Sequence, residues 1–349
     1  MITILALTIA NIVLDAYNSS MQARKLIDNF GRQVTYLRVS VTDRCDFRCR
    51  YCMDEEMTFL PRKHLLTYEE IVRITAAFAN LGVNKVRVTG GEPLTRHGID
   101  LLFKQLGQLE PIKDLTLTTN GSQLHRYAEK LKAHGVTRIN ISLDTLSAER
   151  FKDLTRTGKL AETLQGIQAA VDCGFKRLKI NAVIMRGSNE DEIIPLLNYA
   201  IQNNMDISFI EEMPLGTVGH DRAESFCSSD DILKTISREY KLQSVAEKTG
   251  GPSRYHALEG LNTRVGVISP HSNNFCDSCN RVRLTSEGRL LLCLGQEHSA
   301  DLKALLRNGC TDADLENAIV DAMDIKPKGH DFTLETKPII LRHMSATGG

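Results

Sequence analysis

Tyr36-Leu-Arg-Val-Ser-Val-Thr-Asp43-Arg-Cys45-Asp-Phe-Arg-Cys49-Arg-Tyr51-Cys52 opens as a strand and runs directly into a loop with three cysteines in eight positions. The strand reading, Tyr36–Val41, recurs down the chain at Lys85–Thr89, Asp114–Thr118, Arg138–Leu143, Arg177–Ile184 and Ile207–Glu211. All six are rich in Val, Ile and Leu, as buried parallel strands must be. Amphipathic helices are predicted between them, over Tyr68–Leu81, Ile99–Leu109, His125–His134, Leu160–Cys173 and Glu190–Asn203. Thr67 with Glu70 three positions on reads as a capping box for the first of these. Successive βα units imply a parallel sheet with right-handed crossovers. A closed barrel needs eight units. Six predict an α/β fold that is a partial, open (β/α)6 TIM-like barrel, with ligands at the C-terminal ends of the strands.

After Pro214 the pattern changes. Gly216–Phe226 reads as loop, Ser229–Glu239 as a helix capped by Ser228 or Ser229, and Ser244–Leu261 as irregular. Val265–Ser269 and Arg281–Leu294 read as β, and two short helices are expected near Asp301–Arg307 and Asp314–Met323. The expected divisions are an N-terminal extension and lead-in over 1–34, the partial barrel over 35–215, and a C-terminal region over 216–349. Ile2–Leu14 is apolar but lacks the basic flank and cleavage site of a secretion signal. It is also short of the roughly 20 residues that span a bilayer. Met21 is an alternative start for the folded chain.

The 349 residues carry 43 Lys+Arg and 43 Asp+Glu, so net charge points to neither nucleic acid nor a membrane surface, and an anionic ligand must be held by local cation clusters. Six of nine cysteines fall into two groups, Cys45/Cys49/Cys52 and Cys276/Cys279/Cys293. That is not a secreted disulfide framework; it reads as two metal sites in a reducing cytoplasm. Cys173, Cys227 and Cys310 are isolated and read as core residues.

Cys-x3-Cys-x2-Cys can ligate three irons of a 4Fe-4S cube and leave the fourth open. An incomplete zinc knuckle is the alternative, but zinc favours paired C-x2-4-C units and a fourth ligand nearby. The run Cys45-Asp-Phe-Arg-Cys49-Arg-Tyr51-Cys52 resembles the CxxxCxΦC signature of the radical SAM (S-adenosylmethionine) superfamily, with Tyr51 at the aromatic position. Gly90-Gly91-Glu92-Pro93, at the end of the second strand, resembles the GGEP motif of the same superfamily. The resemblance implies SAM as cofactor, its amino group received by Gly91 and Glu92. It further implies SAM contacts from Thr119, Ser142 and Met213 at later strand ends.

Cys276-x2-Cys279-x13-Cys293 also lacks an obvious fourth ligand. A Cys3His zinc site using His271 or His298 and a second cluster are both open on spacing alone. Arg281 and Arg283 alternate on a predicted strand and so share a face, as a forked anion site would require. Read with Leu37-Arg38-Val-Ser-Val-Thr-Asp43 and the terminal Gly348-Gly349, this segment resembles the GTP 3′,8-cyclase family of molybdenum cofactor biosynthesis, from about Tyr36 to Gly349. The resemblance implies two 4Fe-4S clusters, with guanine on the open iron of the second. It implies GTP held by Arg38, Lys85, Arg87, Lys179, Arg281 and Arg283, and Gly348-Gly349 threaded toward the active site. A 5′-deoxyadenosyl radical would take the hydrogen from C3′ of GTP, and C3′–C8 closure would give (8S)-3′,8-cyclo-7,8-dihydroguanosine 5′-triphosphate. Expected partners are a flavodoxin or ferredoxin reductant, a downstream cyclic pyranopterin monophosphate synthase and a second copy in a homodimer. A radical SAM enzyme acting on a peptide or small metabolite is the rival reading. There is also an independent physical argument for a polyanion. Lys85 and Arg87 share a face of a strand that otherwise reads as buried, and cations facing a barrel interior are costly unless an anion meets them. No GxxxxGK[ST] loop is present.

Overall fold

In a computed structural model, residues 25–245, 250–333, 340 and 342–348 are described. The expectations for residues 1–20 and for Gly349 lie outside them. Six parallel strands form the centre: β1 (Tyr36–Ser40), β2 (Lys85–Thr89), β3 (Asp114–Thr119), β4 (Val136–Ser142), β5 (Arg177–Ile184) and β6 (Asp206–Glu211). The helices between them are α1 (Tyr68–Asn80), α2 (Ile99–Gly107), α3 (Leu124–Ala133), α4 (Ala148–Thr155), α5 (Leu160–Cys173) and α6 (Ile193–Gln202). The anticipated capping box starts α1: Glu70 N donates to Thr67 Oγ1 (3.2 Å) and Thr67 N to Glu70 Oε2 (2.7 Å). Ile71, Ile74 and Phe78, spaced by three and four, then turn one buried face to the sheet.

The strands alternate as a two-faced sheet requires. Leu37, Val39, Val86, Val88, Leu117, Ile139 and Ile141 are fully buried in the core shared with the helices. Their neighbours Arg38, Lys85, Arg87, Arg138 and Asn140 turn to the concave side. Burying each large aliphatic side chain contributes about 1.5–3 kcal/mol.

The C-terminal region supplies α7 (Arg222–Ser225), α8 (Ser229–Ser237), β7 (Leu242–Ser244), β8 (Arg254–Leu258), β9 (Arg264–Ile268), β10 (Arg281–Leu284), β11 (Arg289–Leu291), β12 (Ser299–Asp301), α9 (Leu302–Arg307), α10 (Asp312–Ala322) and α11 (Met344–Thr347). All twelve strands lie in one sheet, ordered β12-β11-β10-β1-β2-β3-β4-β5-β6-β9-β8-β7. β10 adds parallel to the free edge of β1, and β9 adds parallel to β6. The six predicted strands are thus flanked by two more parallel ones.

Several local expectations are corrected. Within Ser244–Leu261, whose residues 246–249 lie outside the described ones, Arg254–Leu258 is not irregular but forms β8, paired with β7. The β reading of Arg281–Leu294 takes the form of a hairpin, in which a turn with Gly288 N on Thr285 O (3.0 Å) separates the antiparallel strands β10 and β11. α4 was not anticipated, because only Phe151 and Leu154 among its apolar residues are buried and the remainder is polar. Among the described residues no helix is long and apolar enough to cross a membrane.

Candidate active site

The loop after β1 carries Cys45, Cys49 and Cys52, all half-buried and unpaired. It is pinned from several sides. Arg48 N and Arg50 N donate to the Thr155 and Leu154 carbonyls at the end of α4 (2.9 and 3.0 Å). After β3, Asn120 Nδ2 and Ser122 Oγ donate to the two oxygens of Asp46 (2.7 and 2.6 Å). Tyr51 donates its hydroxyl to Asp144 Oδ2 (2.7 Å), while Val183 N donates to Asp144 Oδ1 (2.8 Å). Gly91 makes the close approach that its place in the motif requires: a Cβ there would stand 2.4 Å from Arg44 O. Burial pushes the thiols of Cys45, Cys49 and Cys52 up, the last to about 11, so ionising them calls for a compensating positive centre.

Glu92 is fully buried at the end of β2. Thr119 Oγ1, Leu94 N and Asn120 N donate to it (2.8, 3.0 and 2.6 Å). Burial outweighs these donors and raises its carboxyl to about 8.

Cys276 and Cys279 bracket a single turn in which Cys279 N donates to Cys276 O (3.0 Å), and Cys293 follows β11. All six cysteines line one cavity of about 270 Å³, together with Gly91, Thr119, Ser142 and Met213. His271 directs Nε2 at the Glu212 carbonyl (3.0 Å), and His298 is not on the cavity wall. Although burial opposes it, the charges of Arg281 and Lys326 draw the Cys279 thiol down. Burial holds the Cys293 thiol up. No three His, Cys, Asp or Glu side chains among the described residues are gathered to hold a single metal ion. Among the described residues, Asn181 Oδ1, Arg281 Nε, His330 Nε2 and Ser345 Oγ are buried on the cavity wall without a hydrogen-bond partner.

Below this cavity the strand registers assemble a cationic floor. Arg283, Arg38 and Arg87 stand side by side across β10, β1 and β2, and Arg281, Tyr36 and Lys85 form the next row. Like charges in register repel. Lys85 finds Asp114 at 3.4 Å, whereas Arg87, Lys179, Arg281 and Arg283 pair with no carboxylate among the described residues. Burial lowers Arg38 to about 10 and Lys85 to about 8, and also lowers Lys179 and Arg283. Tyr36 accepts from Arg87 Nε (2.7 Å). Burial opposes its ionisation, but Arg87, Arg38, Lys85 and Arg281 pull the phenol down to about 7. Arg38 and Asn181 line both the cavity and the smaller recess over the floor, so the two spaces adjoin.

The tail enters the same space. Gly348 accepts at its carbonyl from Arg283 Nη1 (2.6 Å) and Arg38 Nη2 (3.3 Å). Its φ is +81°, and a Cβ would stand 2.4 Å from Thr89 Cγ2, so only glycine fits.

The sequence-predicted residues that are described, Gly349 not among them, therefore gather at one place, with one difference of detail. Glu92 is spent on Thr119, Leu94 and Asn120 and does not itself line the cavity, whereas Gly91 and Thr119 do. Tyr36, Asp46, Asn120 and Asp144 were missed. The Thr119-Asn120-Gly121-Ser122 run after β3 was a readable signal, as a polar cluster at a strand end. The others gain meaning only once the strands are in register.

Residues 39–200 match the family model of the radical SAM superfamily and residues 205–332 that of Molybdenum Cofactor Synthesis C. The chain is 55% identical over 331 residues to the GTP 3′,8-cyclase of Saccharophagus degradans, covering 94% of this chain and all of that one. It is 55% identical over 327 residues to that of Pseudomonas entomophila, covering 93% and 98%, and 51% identical over 331 residues to GTP 3′,8-cyclase 2 of Pseudomonas aeruginosa, covering 94% and 100%. Among solved structures, Streptococcus suis SuiB superposes with a TM-score of 0.59 at 20% identity over 85% of this chain and 68% of that one. SuiB bound to S-adenosylmethionine superposes at 0.58 and 18% identity over 90% and 78%; these likenesses show the fold. With full-length relatives above half identity and both family regions in place, the chain belongs to the GTP 3′,8-cyclase family of the radical SAM superfamily.

Proposed function

We propose that this chain is a GTP 3′,8-cyclase that holds SAM at Cys45, Cys49 and Cys52 and GTP between the second cysteine group and the cationic floor. The observation that carries the reading is the floor itself: buried Arg87 and Arg283, which pair with no carboxylate among the described residues, stand in register on either side of Arg38 and adjoin a cavity lined by six free thiols. A triphosphate is the kind of polyanion that relieves such repulsion, and guanidinium forks suit its oxygens.

Both cysteine groups fit iron–sulfur clusters. Neither is gathered for one tetrahedral ion, whereas a cube gives each thiolate its own iron. With a cluster held by Cys45, Cys49 and Cys52, reductive cleavage of bound SAM would supply the 5′-deoxyadenosyl radical. The protein's own residues do the rest of the positioning. Tyr51 and Asp144 fix the cysteine loop; Gly91, Thr119, Ser142 and Met213 line the SAM side. Arg38, Lys85, Arg87, Lys179, Arg281 and Arg283 take the phosphates, and Gly348 brings the tail against Arg38 and Arg283 beside them. Holding GTP in this fixed pose over the radical source converts a bimolecular encounter into a directed one. The same reading takes the second cysteines as an auxiliary 4Fe-4S cluster facing the base. It also takes a flavodoxin or ferredoxin as reductant, cyclic pyranopterin monophosphate synthase as consumer of the product, and the cytoplasm as compartment, where nine free thiols stay reduced.

The test is an anaerobic incubation of reconstituted protein with SAM, GTP and dithionite, followed by mass spectrometry. The expected products are 5′-deoxyadenosine and a cyclised triphosphate isomeric with GTP, which has lost one hydrogen atom from C3′ and gained one electron from the reductant and one proton from water at the ring, both absent from Cys49→Ser. SAM consumption with GTP untouched would refute the substrate assignment.

A further inference from the structure

A buried charge cluster lies behind the second cysteine group and belongs to neither the SAM side nor the floor. Asp28 and Lys326 have side-chain exposures of 0% and 2%, and Arg32 has 7%. Arg32 Nε donates to Asp28 Oδ2 (2.7 Å) and its backbone N to Oδ1 (3.0 Å), while Lys326 Nζ stands 3.6 Å from Asp28 Oδ2. The rest of the guanidinium is spent on backbone carbonyls: Nη1 on Cys276 O (2.8 Å) and Lys328 O (2.6 Å), Nη2 on Pro327 O (2.7 Å). Gly329 closes the contact, because a Cβ there would be 3.2 Å from Cys276 Sγ. Three segments far apart in sequence, around residues 28–32, 276 and 326–329, thus meet at one cysteine.

Arg32 and Lys326 bring two buried positive charges and Asp28 brings one negative; neither cation has another carboxylate among the described residues. A net buried charge is expensive unless something of opposite sign lies within reach. The charge cluster is joined to the second cysteine group through Cys276, whose carbonyl takes Arg32 Nη1 and whose sulfur lies against Gly329, three residues beyond Lys326. Three thiolates on an iron–sulfur cube make an anionic assembly, and net charge close to a cluster is one of the levers on its reduction potential.

We infer that Lys326, held in place by Asp28 and Arg32, is the built-in counter-charge of the second cluster and raises its reduction potential. Lys326 is then a positioning and tuning residue, acting through the cysteines and not on substrate. The inference rests on reading Cys276, Cys279 and Cys293 as a cluster site.

The two halves of the pair make opposite predictions. The experiment uses the full chain with Cys45, Cys49 and Cys52 changed to Ser, reconstituted anaerobically with iron and sulfide, so that the remaining cluster is titrated alone by potentiometric EPR. Lys326→Met should shift the midpoint to more negative potential. Asp28→Asn, which leaves Lys326 with less opposing charge, should shift it to more positive potential. Lys326→Arg should keep it near the parent value and guards against misfolding of the Met variant. Shifts of the same sign, loss of iron from both variants, or no shift in either would overturn the inference, because a purely structural brace predicts one of these. A parent that binds no four-iron cluster would end the cluster reading itself, and the inference with it.

Discussion

The two cysteine groups are built in contrasting ways. Cys45, Cys49 and Cys52 lie within one loop, and their supports (Asp46, Tyr51, Asn120, Asp144) come from that loop and from the ends of β3 and β4. Cys276, Cys279 and Cys293 are split between the lead-in to β10 and the end of β11. Their supports come from residues 28–32 at one end of the chain and 326–329 at the other. The first group is a local motif set on a repetitive scaffold. The second exists only because β10 returns to the open edge of β1 and brings Arg281 and Arg283 with it. The difference teaches that the first group can be built by one loop and its neighbours, whereas the second depends on pairing between strands distant in sequence.

That contrast can be broken from either side. Arg283 belongs to the second region, where it faces Gly348 and the arginine row. Charge-assisted hydrogen bonds contribute about 1.5–3 kcal/mol each, so Arg283→Met should weaken GTP binding about tenfold to a hundredfold by isothermal titration. SAM affinity should stay unchanged. The thermal midpoint of the empty protein should not fall, since a repelling charge has been removed. A loss of SAM binding, or of stability without loss of GTP affinity, would dissolve the division between the regions.

A smaller effect is expected on the first side, at Glu92. Its carboxyl is raised by burial from 4.5 to about 8. Between those values the unfolded chain releases a proton that the folded chain keeps. Rising pH therefore favours unfolding, and this contribution to stability is lost progressively from pH 4.5 to about 8. Differential scanning fluorimetry without SAM should show wild type losing a few degrees relative to Glu92→Gln across that window. GTP affinity of the variant should remain that of wild type. Parallel pH profiles for the two proteins would show that burial does not govern this carboxyl.

The regions also differed in how legible they were. Strand-helix alternation, the capping box at Thr67 and the cysteine loop are all local patterns, and each could be read within twenty residues or so of its partners. Lys85 and Arg87 were readable as inward cations from the period of two alone, because their strand is otherwise apolar. What could not be read was anything set by register between distant strands. Tyr36 looks like an ordinary strand aromatic until β10 and β2 place Arg281 and Lys85 on either side of it. Asp28 and Arg32 look like a polar lead-in until Cys276 and Lys326 arrive beside them. Arg281–Leu294 was readable as β, but only Gly288 marked its division into the β10–β11 hairpin.

On the proposed reading each cysteine triad grips its own cube. The most direct measurement is iron and acid-labile sulfide per chain, with EPR after reduction, on anaerobically reconstituted wild type and on two triple-serine variants. Wild type should hold about eight irons, and the variants lacking Cys45/Cys49/Cys52 or Cys276/Cys279/Cys293 about four each. Four irons in wild type that disappear with only one triad, or zinc at the second, would contradict it.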